Sequence, residues 1–250
     1  MSIFSSFMRG VLGGWMGIAL GWSVGCFLAQ RVMAEDAPSS VREVRKGVVA
    51  IGAVEVDALR KMMTFPAKVN LVEGNLEYAL VNPNGPVHES LLVTETRAED
   101  IEVGARLLGI SRKRQAEEGK SGGGGNLTKD ALQRAPKPVG AEISVRVAWT
   151  GADGVEVERS LLEALERKGR EGMPFSREGD WIYTGSKVVG DGLFLASGSG
   201  ILGSMLLASE PLFVGTFEGN RDDSVWSPAR MVLPKVGTTV RVIIALKPKS

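Results

Sequence analysis

The chain has 250 residues, 44% hydrophobic, 24% charged and 6% aromatic, with 30 basic against 29 acidic side chains. These proportions describe a globular protein of one or two domains and exclude a disordered tail, a collagen-like repeat and a polytopic membrane protein. A formal net charge of +1 gives no footprint for nucleic acid, and one cysteine (Cys26) with one histidine (His88) cannot build a His/Cys zinc site, an iron–sulfur cluster or an intrachain disulfide, so no cofactor or metal is expected.

Val11 to Leu28 carry no charge and lie between Arg9 and Arg31, and Val32-Met33-Ala34 follows, small at its last position and β-branched two before it. A basic start, an apolar run and that tripeptide predict a secretory signal over residues 1–34, cleaved after Ala34. As a helix the run would rise about 27 Å, so retention as a membrane anchor is the alternative. Gly13, Gly17, Gly21 and Gly25 would then share one helix face, a repeated GxxxG pattern suited to self-association. Both readings place the rest of the chain outside the cytoplasm, periplasmic or extracellular, and cleavage leaves it without cysteine.

Residues 35–64 read as a linker and lead-in to one domain over 65–248. Ala67–Val72, Leu76–Val81 and Val87–Thr94 are separated by Glu73-Gly74-Asn75 and by a turn containing Asn84-Gly85, which predicts a three-stranded meander. Thr96-Arg97-Ala98-Glu99 has the spacing of a capping box, and Ile101, Ala105 and Leu108 follow at helical intervals, predicting a helix over 97–109. Residues 111–140 run from Arg112-Lys113-Arg114 through Gly122–Gly125 to Pro136 and Pro138 and read as a flexible surface insertion. Its Gly119-Lys120-Ser121 is no P-loop, because Arg114 stands where that motif needs glycine.

Beyond the insertion, Ile143, Val145, Val147 and Trp149 alternate with Glu142, Ser144, Arg146 and Ala148, and an Asp153-Gly154 turn leads into Val155–Val157, a hairpin pattern. Ser160 and Glu163 frame a second capping box, opening a short helix that closes at Arg167, Lys168 and Gly169. Further strands are predicted at Trp181–Val189, Leu193–Ser197, Leu212–Phe217 and Thr239–Leu246. The sum is an α+β domain, mainly antiparallel sheet with two short helices.

Two patterns invite a chemical reading. Gly198-Ser199-Gly200-Ile201-Leu202-Gly203 is a GxGxxG that would bind a dinucleotide if it joined a strand to a helix, but Glu210-Pro211 leaves little room for that helix. His88 alone titrates near neutral pH, so an acid–base site would recruit it; strand alternation would set His88 and Ser90 on one face and Glu89 on the other, against a local relay. Asp222-Asp223 lacks EF-hand spacing and reads as a solvated turn.

Tyr78-Ala79-Leu80-Val81, Gly85-Pro86-Val87-His88-Glu89-Ser90-Leu91-Leu92, the Trp181-Ile182-Tyr183-Thr184-Gly185-Ser186 run, Asp222-Asp223-Ser224-Val225-Trp226 and Pro234-Lys235-Val236-Gly237-Thr238-Thr239-Val240 occur in this order. Together they resemble the YdjY-domain family of bacterial envelope proteins, whose activity is unassigned, over roughly residues 65–248. The resemblance implies an exported mixed domain in which the GxGxxG is ordinary strand-and-turn sequence. It singles out His88, Glu89, Ser90, Tyr183, Thr184 and Ser186 as candidate ligand-binding residues. The expected function is a non-enzymatic binding or envelope-associated module for an unknown protein or small-molecule ligand. The alternatives are a hydrolase-like enzyme using His88 with a carboxylate from elsewhere in the fold and, more remotely, dinucleotide binding at Gly198–Gly203. No nucleic-acid partner is expected, and membrane association would run through residues 11–28.

Overall fold

The computed structural model describes residues 39–111, 129–167, 179–190, 192–207 and 211–248. The predicted signal or anchor segment 1–34 and the basic, glycine-rich part of the insertion lie outside the described residues, as do Lys168 and Gly169. Among the described residues no helix is long and apolar enough to cross a membrane.

Period-two alternation dictates the long strands. β4 (Met62–Val69) buries Met63, Phe65, Ala67 and Val69, and β7 (Ala141–Thr150) buries Ile143, Val145 and Val147. β16 (Thr239–Leu246) lies between them, antiparallel to both, and contributes Val240, Val242 and Ile244 to the same core. The remaining described strands are β1 (Val41–Arg45), β2 (Val48–Ile51), β3 (Val54–Asp57), β5 (Tyr78–Val81), β6 (Ser90–Val93), β8 (Glu156–Ser160), β9 (Leu165–Arg167), β10 (Trp181–Tyr183), β11 (Val188–Val189), β12 (Leu193–Phe194), β13 (Ile201–Ser204), β14 (Phe213–Gly215) and β15 (Trp226–Pro228). The helices are α1 (Ala98–Leu107), α2 (Lys129–Arg134) and α3 (Leu195–Ser199).

The fold is mainly β with helices, in keeping with the α+β expectation, but its sheet is not a simple antiparallel one. Strands β4, β16, β7, β10, β14, β13, β5 and β6 pair in that order, and β6 returns to β4, closing an eight-stranded barrel. Two neighbours in the ring, β13–β14 and β5–β6, are parallel. A barrel of eight strands leaves an interior just wide enough to be filled by side chains. Here one contiguous apolar cluster draws buried residues from all eight strands, including Phe65, Leu80, Leu92, Val145, Trp181, Leu202, Phe213 and Val242. Trp181 meets Phe213 and Phe217 edge to face at 5.4 and 4.9 Å between ring centroids.

Closure works because two strands share an edge. β4 pairs with β3 over Met62–Thr64 and with β6 at Lys68 and Val69 on the same side. β7 pairs with β10 over Ala141–Ile143 and with β8 over Arg146–Thr150. The meander β1–β2–β3 and the single strand β8 therefore extend the wall outward as flaps beside the β4–β16–β7 face.

Several expectations are corrected. Residues 41–57, read as lead-in, are three strands continuous with the domain. The predicted meander is not one, because β5 runs parallel to β6 and antiparallel to β13. α1 forms where expected, with Ile101, Ala105 and Leu108 buried, but no capping box closes it: Arg97 is the N-cap, and its side chain makes no capping hydrogen bond. The Ser160 hydroxyl does accept from Leu162 N–H, yet the helix there is one 3₁₀ turn, Leu161–Ala164, followed by β9. Leu193–Ser197 is mostly α3 rather than strand, and with α2 in the expected insertion it brings the α-helices among the described residues to three instead of two. The end of the insertion is ordered: Leu132 is buried in the core, and the Arg221 guanidinium donates to the carbonyls of Leu132, Gln133 and Ala135.

Candidate functional site

The residues singled out by sequence fall into two groups on opposite sides of the ring. His88, Glu89 and Ser90 lead into β6, whereas Tyr183 ends β10; β5, β13 and β14 separate those strands one way and β4, β16 and β7 the other.

His88 is not on a strand. It sits in a 3₁₀ turn, Val87–Glu89, which Pro86 opens with its fixed φ, so the predicted His88/Ser90 face does not form. Asn70 clamps this turn by donating to the carbonyls of Val87 and Ser90 at 2.6 and 2.8 Å. The His88 side chain is 79% exposed, and its Nε2 stands 3.7 Å from Glu89 Oε2, an ion-pair distance beyond hydrogen-bond reach. Ser90 is buried and its hydroxyl donates to the Leu92 carbonyl, so it faces no ligand. Glu77 lies close by; burial first, then the charge of Glu89, pushes its carboxyl above the usual glutamate range.

Tyr183, Thr184 and Ser186 are spent on structure. Tyr183 is buried and donates through its hydroxyl to Glu102 Oε2 at 3.1 Å. Glu102, itself buried in α1, accepts at Oε1 from Arg106 Nε at 2.7 Å and from the Ser111 hydroxyl at 2.8 Å. Burial, then the charge and hydrogen bond of Glu102, hold the Tyr183 phenol well above the usual tyrosine range. Thr184 Oγ1 donates to the Pro211 carbonyl. Ser186, buried with φ of 51°, accepts from Ala196 N–H at the start of α3. α1 also abuts the wall at Gly104, where an added Cβ would lie 3.2 Å from Met63 Sδ, so one helix bridges β4 and β10 across the barrel.

The GxGxxG runs from the last turn of α3 into β13, with Gly200 as a left-handed C-cap at φ 70°. Helix before strand is the reverse of the phosphate-binding order, and the glycines present no helix N-terminus. Asp222 accepts from Ser224 in a local turn. Among the described residues no group of three or more His, Cys, Asp and Glu side chains could hold a metal ion.

A broad concavity lies elsewhere, on the outer face where β3, β4, β16, β7 and β8 run side by side. It has a volume of about 420 Å³ and is lined in part by Glu55, Thr64, Thr150, Glu156 and Arg241. Register builds it: Glu55 pairs with Thr64, Arg241 with Pro66 and Ala148, and Glu156 with Thr150. Arg241 Nη2 donates to Glu156 Oε1 at 2.6 Å, with both side chains about half exposed. Sequence reasoning missed this site because Thr, Glu and Arg at the outward positions of alternating strands are what any solvated sheet face carries. No family model, curated protein or solved structure matches the chain.

Proposed function

We propose that the chain is a non-enzymatic binding module of the bacterial envelope, akin to YdjY-domain proteins, exported by its N-terminal segment, and that its ligand lies in the outer groove over β4, β16 and β7. The observation that carries this reading is the contrast in available space. The barrel interior receives buried apolar side chains from all eight of its strands, whereas the outer groove is open and polar. Its Arg241–Glu156 pair, with Glu55 and hydroxyls around it, suits a small ligand or short peptide bearing both charges, which would exchange the exposed ion pair for contacts of its own.

The rival, a hydrolase built on His88 with Glu77 or Glu89, draws on the carboxylates around that turn, but among the described residues the imidazole has no hydrogen-bonded carboxylate, Glu89 standing 3.7 Å away. The test is a nuclear magnetic resonance screen of zwitterionic small molecules and dipeptides against the wild type, Arg241→Ala and His88→Ala. Hits lost in Arg241→Ala and retained in His88→Ala support the groove; the opposite pattern moves the site to the His88 turn.

A further inference from the structure

One end of the β1–β4 meander concentrates features that neither the groove nor the barrel uses. The β1–β2 turn carries Arg45, Lys46 and Gly47, and the β3–β4 turn carries Ala58, Leu59, Arg60 and Lys61. The two turns sit side by side: Ala58 N–H donates to the Gly47 carbonyl at 3.0 Å, and the Leu59 side chain lies against Gly47, so close that an added Cβ would meet Leu59 Cδ1 at 3.2 Å. Asp57 fixes the second turn by accepting from Leu59 and Arg60 N–H at 3.1 and 3.0 Å. That fixed turn holds Leu59 at 81% exposure, with Val44 at 42% in β1, just before the other turn.

The charge around Leu59 is one-sided. Arg45, Lys46, Arg60 and Lys61 are all exposed, and within the two turns Asp57 is the one carboxylate, 4.0 Å from Arg45 Nη2 and 3.9 Å from Arg60 Nε. Leu246 N–H donates to the Lys61 carbonyl and brings Lys247, ion-paired with Asp180, to the same end.

We propose that this end docks on an anionic lipid surface, with Leu59 entering the headgroup–acyl boundary and the four cations meeting lipid phosphates. A protruding aliphatic residue gains by leaving water, and basic side chains around it are drawn to anionic lipid; together they give the two signals that reversible membrane attachment needs. A nucleic acid would satisfy the cations, but an aliphatic tip offers its bases nothing to stack on. The attachment lies at the turns, apart from the groove, whose walls come from the other end of β3, from Thr64–Pro66 in β4 and from β16, β7 and β8.

The test uses the full-length chain with Cys26→Ser and an environment-sensitive fluorophore on Ala58→Cys, reconstituted into vesicles of phosphatidylcholine alone or with about a third phosphatidylglycerol. A second labelled protein carries Val236→Cys, on the exposed turn before β16 at the far end of β4. The expected result is a blue-shifted, brighter signal at position 58 with phosphatidylglycerol only, abolished by raising the salt, and none at position 236. Leu59→Asp or the Arg60→Glu/Lys61→Glu pair should raise the phosphatidylglycerol fraction needed for half the signal several-fold, while circular dichroism stays unchanged. An equal signal with both vesicles, an equal response at position 236, indifference to these substitutions, or a response to single-stranded DNA in place of vesicles would overturn the proposal.

Discussion

The two halves of the barrel are built by different rules. In β4, β16 and β7 the strands are eight to ten residues long, antiparallel and mostly alternating, with an inner face in the core and an outer face toward solvent. In β14, β13, β5 and β6 the strands are three or four residues long, include both parallel pairs, and bury consecutive residues, so both of their faces are covered. Polar groups follow the same division. On the first half a carboxylate and a guanidinium meet half exposed in a groove and stay in contact with water. At the α1 end the buried Glu102 carboxylate meets the buried Tyr183 hydroxyl, Ser111 and the outward-lying Arg106 and is consumed in holding the helix to the wall. Similar side chains stay solvated or are locked in a clasp according to whether water reaches the carboxylate.

That contrast breaks most sharply in the core of the covered half. Phe213→Ala in β14 removes a ring that packs on Trp181 and covers Gly203, and should cost about 3–5 kcal/mol in denaturant unfolding. A loss under about 1 kcal/mol would mean that this half is loosely packed.

The clasp comes next. Glu102→Ala leaves the Tyr183 hydroxyl buried without its acceptor and should cost about 2–4 kcal/mol. The phenol is held above the usual tyrosine range in the folded state, so the folded protein keeps a proton that the unfolded chain releases. Its contribution is therefore intact below about pH 10 and is lost as the pH rises beyond it. Tyr183→Phe should flatten the alkaline limb of a thermal-melting profile, and an unchanged limb would place that sensitivity on other groups.

The smallest effects belong to the exposed positions. Arg241→Ala and His88→Ala should each change stability by no more than about 0.5–1 kcal/mol, because exposed ion pairs contribute little. A larger loss from Arg241→Ala would make the groove's ion pair part of the fold rather than part of a site.

Legibility in sequence followed the same division. β7 and β16 could be read to within a residue of their ends because half-buried antiparallel strands write their environment as alternation, whereas β8, read as Val155–Val157, runs on to Ser160. α1 was legible from Ile101, Ala105 and Leu108, whose spacing fits one face. The short strands were not: Tyr78–Val81 and Ser90–Val93 are apolar runs, and nothing local distinguishes a parallel neighbour from a hairpin partner. Val48–Ile51 and Val54–Asp57 did carry strand signals, with Gly47 and Gly52 at their turns, but were absorbed into a lead-in. The candidate site was least legible, since its groove is assembled from Glu55, Thr64, Arg241 and Glu156 on four strands. The family-like residues Tyr183, Thr184 and Ser186 proved to be held by Glu102, Pro211 and Ala196.

By itself the sequence determined the class of the fold, the long alternating strands, the central helix and the absence of thiol chemistry beyond Cys26, because each depends on composition or on a period that neighbouring residues express. Tertiary structure alone decided that the sheet closes, that β5 and β6 run parallel, and which polar residues face water. Those outcomes depend on residues far apart in the chain meeting across the barrel, where register and burial, not residue type, set what a carboxylate or hydroxyl is free to do.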